Sequence, residues 1–166
     1  MVIRRPLLSV ALVGIAIGVA SGYLWANQEY VVEYPHGYRT WLHLTSYVIG
    51  TQNPAFERNG GLHVFYANDK AREGLQKGKF PDGSVLIDER NTAVEKDGIT
   101  RVGEFRGIAV MSKDARRYAD TGGWGFEVFT AADLSKGILT VQARAACHSC
   151  HSKQIKRDFV FSELRP

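Results

Sequence analysis

Cys147, His148, Ser149, Cys150 and His151 stand together near the C-terminus and carry the clearest chemical signal in the chain. The order is C-x-x-C-H. Two thiols at this spacing can add to the two vinyl groups of one haem, and the histidine that follows can offer a ring nitrogen to its iron. On a helix, positions 147, 150 and 151 share one face, because residues three and four apart are neighbours there. The chain has no third cysteine, so none is left over for a separate disulfide framework. Two other readings stand beside haem c. One is half of a zinc site, but structural zinc wants a second, distant ligand pair, and His36, His43 and His63 are not paired at ligand spacing. The other is a redox dithiol, which normally opens a helix after a strand in a thioredoxin-like setting. The zinc reading also leaves the histidine directly after the second cysteine unexplained.

The N-terminus bears on the choice. Arg4-Arg5 precede an apolar run from Leu7 to Trp25, the positive-then-apolar order of a secretory signal or signal-anchor. The run is near the length needed to span a bilayer. Gly14, Gly18 and Gly22, at spacing four, would let a partner helix approach closely, or else they belong to a simple leader. Tyr23 and Trp25 suit the membrane interface. A retained anchor over residues 7–25 is favoured over cleavage near Ala20-Ser21. Either way the domain lies outside the cytoplasm, in a bacterial periplasm and anchored to the inner membrane if the segment is retained. Haem c is attached in that compartment, so the two ends of the sequence agree. Residues 1–26 are read as signal-anchor or signal peptide, and 27–166 as one haem c domain.

Composition is consistent with this. The exported part is the size of a single domain, roughly 140 residues. The net charge is +4, to which Arg4 and Arg5 contribute two, so there is no argument for nucleic-acid binding. The basic cluster from Lys153 to Arg157 lies beside the C-x-x-C-H motif. It is either a solvated face or a surface that steers an acidic redox partner.

The elements that must position the motif follow from periodicity. A short helical turn is expected at His36 to Arg39. Trp41 to Ile49 alternates as a strand, with Leu42, Leu44, Ser46 and Val48 on one face and Trp41, His43, Thr45 and Tyr47 on the other. Gly50 to Gly61 reads as a loop and Leu62 to Ala67 as a second strand. Asn68 or Asp69 caps a helix that Gly78 ends. Phe80-Pro81-Asp82-Gly83 is a turn leading into a strand from Ser84 to Arg90. Asp97-Gly98 marks a hairpin. Thr100 to Met111 is a long strand in which Gly103 and Gly107 mark bulges or close contacts. Asp114 caps another short helix ended by Gly122-Gly123, and Trp124 to Phe129 is the last strand. Leu139 to Lys156 is largely helical, and Asp158 to Pro166 packs back as a short extended piece. The predicted class is α+β: a mainly antiparallel β-sheet with short helices and a C-terminal haem-bearing helix, preceded by an N-terminal transmembrane or signal helix.

Five ordered blocks carry a resemblance. They are Trp41-x-His43, Gly61-Leu62-His63-x-x-Tyr66-Ala67-Asn68, Lys79-Phe80-Pro81-Asp82-Gly83-Ser84, Gly122-Gly123-Trp124-Gly125-Phe126 and Cys147-x-x-Cys150-His151. Over about residues 34 to 164 the chain resembles the cytochrome P-460 and cytochrome c′-beta family. The resemblance implies a mainly antiparallel β fold, one covalent haem, a histidine proximal ligand, an open or capped distal face and, often, a homodimer. It also implies a division. Cytochromes P-460 link a lysine to the haem and oxidise hydroxylamine with nitric oxide. The c′-beta members lack the link, cap the iron with apolar side chains and bind nitric oxide. The linking lysine aligns with Asp88, five residues beyond Gly83, whereas Lys77 and Lys79 precede the turn and read as solvated. The cross-link is therefore expected to be absent. Asp88 is either a distal group able to accept a proton or hold a water, or a strand-edge carboxylate in solvent.

The other candidates have plainer alternatives. Met111 is a sixth ligand or, more often at the end of an apolar strand, core. His43 and His63 bind iron from the far side or are hydrogen-bonded sheet residues. His148 points off the ligand face, into solvent. Phe65, Trp124 and Phe126 form a haem wall or ordinary core. Three functions compete: binding of nitric oxide or a related small ligand, oxidation of hydroxylamine or turnover of nitrogen oxides with Asp88 as acid or base, and electron transfer within a membrane complex. A gas binder or redox protein of the c′-beta kind is favoured, because the linking lysine is missing.

Overall fold

The computed structural model describes residues 30–164. The segment read as an anchor lies outside the described residues. Among those described, no helix is long and apolar enough to cross a membrane.

Five strands form one antiparallel sheet in simple sequence order: β1 (Leu42–Ile49), β2 (Gly61–Ala67), β3 (Val85–Lys96), β4 (Ile99–Lys113) and β5 (Trp124–Thr130). Each strand pairs with the next, so short connections suffice. The β3–β4 hairpin closes at Asp97-Gly98, where both residues have positive φ (55° and 73°), as a twisted two-residue turn requires. Among the described residues three α-helices are added: α1 (Phe56–Asn59), α2 (Asp69–Lys77) and α3 (Val141–His151). Asn68 caps α2 by accepting from the Ala71 N–H, and Gly78 ends it at φ 73°. Thr140 caps α3, and a 3-10 segment, Ser152–Arg157, continues it.

The expected strands are all present, and β3 runs on to Lys96. Three expectations need correction. Gly50 to Gly61 holds the single-turn helix α1. The segment after Asp114 is a series of turns ending in a 3-10 helix, Ala119–Thr121, because the Asp114 carboxylate accepts the N–H groups of both Arg116 and Arg117 and tightens the first turn. Strand β1 does not alternate cleanly. A bulge between His43 and Thr45 shifts the period, so Leu42 pairs with Ala67 while Tyr47 pairs with His63. Leu42 and Tyr47, expected on opposite faces, therefore share one.

Each face of the sheet has its own core. On one, Leu44, Ala67, Leu86, Met111, Trp124 and Phe126 pack with Phe65, Leu139 and Cys147. On the other, Tyr38, Ile87, Ile108, Val110 and Phe129 pack together. The second core is fastened by Glu89, whose carboxylate accepts from the Tyr38 hydroxyl (2.5 Å), Arg39 Nε (2.8 Å) and Asn91 Nδ2 (3.2 Å). Burial, together with the neighbouring carboxylate, pushes the Tyr38 phenol well above its ordinary range, so it stays a donor. Helix α3 packs on β5, held by buried Glu127, which accepts from Leu139 N (2.8 Å) and Arg144 Nη2 (2.5 Å).

The expected close contact at Gly107 is real. Its φ is 134°, and a Cβ there would lie 2.1 Å from the Phe129 carbonyl oxygen. Gly107→Ala should destabilise the fold by about 2 kcal/mol or more, combining backbone strain with displacement of β5. A denaturant titration reads this as a lowered midpoint.

Candidate functional site

Helix α3 presents the C-x-x-C-H motif. Cys147 is half-buried and packs on the Phe126 side of the sheet, while Cys150 is exposed; both are free thiols. Burial raises the Cys147 pKa, partly opposed by the Arg90 guanidinium close by. The ring of His151 lies 5.2 Å from that of Phe126 and 5.1 Å from that of Phe161. Its Nδ1 is 2.8 Å from the Phe159 carbonyl oxygen. A carbonyl only accepts, so Nδ1 carries the proton and Nε2 keeps its lone pair. Burial lowers the His151 pKa, and the hydrogen bond to Phe159 only partly offsets this. The imidazole is therefore neutral and oriented, as a metal ligand must be.

The turn that supplies this carbonyl is built from afar. Asp158 and Phe159 both have positive φ (50° and 66°), a costly conformation for residues other than glycine. Asp158 is held there by Lys113 Nζ (2.7 Å) and by the Phe80 N–H (2.9 Å), while its carbonyl accepts from Trp124 Nε1 (2.9 Å). The Lys113 ammonium also sits 4.9 Å from the centre of the Trp124 ring. The tail packs back as expected, with Val160 buried. Lys113 and Asp158 carry no local motif, and sequence reasoning missed them.

A second polar group lies on the same sheet face. The register pairs Phe65 with Asp88 and His63 with Arg90, and directly paired residues point to the same side. Asp88 Oδ1 is 2.7 Å from His63 Nδ1, and Asp88 Oδ2 accepts from Arg90 Nε at 2.9 Å. His63 is only 3% exposed and is stacked on Tyr47. Its Nε2 lies 2.7 Å from the Asn59 carbonyl oxygen. Asp88 is thus bound on both oxygens and is not a free strand-edge carboxylate.

These residues fit a covalent haem. Two unpaired thiols and a neutral imidazole with a free Nε2 share one helix, beside a sheet face that carries aromatic and polar side chains. Among the described residues, no group of three or more His, Cys, Asp or Glu gathers at metal-binding distance, so the zinc alternative finds no second ligand pair there. The family model for cytochrome P460 matches residues 35–162, nearly the whole described domain. The chain belongs to the cytochrome P460 family. It is a haem-binding cytochrome. No curated protein gives a significant match.

The remaining candidates of this P460-family cytochrome can now be placed. Met111 is packed in the core beside Trp124 and Phe126. Trp124 is fully buried, edge-on to Phe80, and Phe65 is partly buried beside Tyr47. His43 is exposed and bonds to Ser46. His63 is a hydrogen-bonded sheet residue, with both ring nitrogens engaged. His148 does not stand free in solvent: it is half-buried, with its ring 5.5 Å from that of Phe159, because the turn at Asp158 folds the tail back over α3. Lys77 pairs with Glu73 on the exposed face of α2. Arg90, which the sequence did not single out, proves central through its contact with Asp88 and its proximity to Cys147.

Proposed function

We propose that this cytochrome carries one haem c, joined through Cys147 and Cys150, with His151 Nε2 as proximal ligand and an iron open on its other side to nitric oxide or a related small ligand. The observation that carries this is the His151–Phe159 hydrogen bond, which fixes the tautomer and leaves Nε2 available. Bound here, a haem would supply a redox-active iron able to take up a small ligand. The protein holds the ring through α3, orients the imidazole through the Asp158 turn and places aromatic and polar side chains on the sheet face. Asp88 stands where the resemblance puts the linking lysine, and its carboxylate is committed to His63 and Arg90, which supports a haem without a cross-link.

The cellular setting follows the sequence: export, tethering through residues 7–25 and electron exchange with a redox partner beside Lys153 to Arg157. A second reading is hydroxylamine or nitrogen-oxide turnover, favoured by a titratable pair, His63 and Asp88, on the motif's side of the sheet. Titrating the purified ferrous protein with nitric oxide separates binding from electron transfer. Saturation at one equivalent per haem, with a large Soret change, is expected. A spectrum indifferent to nitric oxide would contradict the proposal and leave electron transfer.

A further inference from the structure

Three arginines converge where α1 meets the sheet. Arg58 from α1, Arg90 from β3 and Arg106 from β4 line a cavity of about 160 Å³, with His63 of β2 as a further wall. The register explains the convergence. His63 pairs with Arg90, and Arg90 pairs with Gly107, the neighbour of Arg106. Helix α1 joins β2 directly through Gly60, which brings Arg58 to the same end of the strands. The rim is fixed at two points. Arg106 Nη1 donates to the Gly60 carbonyl at 2.9 Å, and His63 Nε2 lies 2.7 Å from the Asn59 carbonyl oxygen. The turn that carries Arg58 is thereby held against the sheet.

The charge at this point is unbalanced. Among the described residues no carboxylate lines the cavity. The one carboxylate bonded to its lining side chains is Asp88, which accepts from Arg90 Nε at 2.9 Å and faces His63. Three guanidiniums against this one carboxylate leave an excess of two positive charges. Burial alone would lower the His63 pKa, but the hydrogen bond and charge of Asp88 outweigh it and the pKa is raised, so the ring adds to the excess. Among the described residues the Arg58 side chain has no hydrogen bond or ion pair, and Arg106 bonds only to Gly60. Ile108 and Phe129, both buried, add apolar lining. A cleft of one charge sign with low-dielectric walls concentrates the opposite ion. Guanidinium groups present paired N–H donors that match the oxygens of an oxyanion. We infer that this cavity binds one small oxyanion, held between Arg58, Arg90 and Arg106. Its size sets the class. Drug-sized ligands occupy roughly 300–1,000 Å³, so the space is too small for a nucleotide or a porphyrin and suits an ion such as sulfate, phosphate or nitrate.

Calorimetric titration of the holoprotein with sodium sulfate and with sodium nitrate, at constant ionic strength in chloride, tests the site for a tetrahedral and a planar ion. At least one of them should bind saturably at one equivalent, roughly tenfold or more tighter than chloride. Hydrogen exchange should slow across Phe56 to Gly60 when it binds. Arg58→Gln should weaken binding by roughly tenfold. It removes no protein contact of that side chain, so weaker binding at an unchanged melting temperature places the ion here. Arg106→Gln should weaken binding as well, and it also releases the Gly60 carbonyl; Arg58→Gln therefore decides between loss of a ligand and loss of the rim. Absence of saturable binding, or binding no tighter than chloride, would overturn the site, and a haem propionate already filling the cavity would give that same result. Undiminished binding in both variants would put the ion elsewhere, for example on Lys153 to Arg157, and would overturn the site equally.

Discussion

Replacing Cys147 and Cys150 together by alanine should convert a haem that stays with the denatured chain into one that is almost wholly extracted by acidified organic solvent. With the haem attached as proposed, two thioethers make its loss impossible without breaking a covalent bond. Without them, only the His151 bond and apolar contact remain, and the protein exchanges haem with its surroundings. The single variants should differ. Cys150 is exposed and makes no core contact, so Cys150→Ala removes one link and little else. Cys147 packs against the core that includes Phe126 and Leu86, so Cys147→Ala also trims a buried side chain, at about 1–2 kcal/mol. Both single variants should retain haem on extraction through the remaining thioether, and the Cys147 variant should melt lower. Extraction followed by mass measurement of the chain reads the first effect, and thermal melting of the holoprotein reads the second.

The second large effect belongs to Asp158. Asp158→Ala should destabilise the holoprotein by about 3 kcal/mol or more, because it strands the Lys113 ammonium in a nearly buried site with its anionic partner gone. It also leaves the Phe80 N–H without its acceptor and releases a turn held at positive φ. The damage should reach the iron. Once the turn relaxes, the Phe159 carbonyl no longer fixes His151 Nδ1–H, the imidazole becomes a weaker donor, and the reduction potential should rise. Lys113→Met separates the two effects. It removes the buried charge while keeping an apolar stem against Trp124, so the double variant Lys113→Met/Asp158→Asn should recover much of the stability. The potential should remain shifted wherever the turn is loose. Calorimetry of the holoprotein and a redox titration, compared across the three variants, check both.

What could be read from sequence and what could not divide along physical lines. The C-x-x-C-H spacing is local and legible in the sequence, as are Gly78 as the end of α2, Asn68 or Asp69 as its cap, and Asp97-Gly98 as a hairpin. Alternation located β1, β2 and β5, and the Pro81-Asp82-Gly83 turn and the Asp97-Gly98 hairpin located β3 and β4. Alternation failed for the faces of β1, because a one-residue bulge at Leu44 reverses which side chains share a face, and nothing in Leu-His-Leu-Thr announces it. His63 was visible as a histidine on a strand, but its state depends on a carboxylate 25 residues away, brought alongside only by the β2–β3 register. Lys113 and Asp158, 45 residues apart, and Glu89 with Tyr38, 51 residues apart, are likewise products of tertiary pairing. The haem-binding motif is thus a local property, whereas the orientation of its histidine and the charge beside it are not.

The most direct measurement is the optical spectrum of the purified ferrous protein before any ligand is added. A neutral His151 on one side of a covalent haem c and an open iron on the other predict a broad high-spin spectrum with an ordinary Soret position. A sharp low-spin spectrum would mean that a second protein ligand closes the iron. A strongly red-shifted Soret band would mean that a side chain is cross-linked to the haem after all. Either result would contradict an open, uncross-linked site.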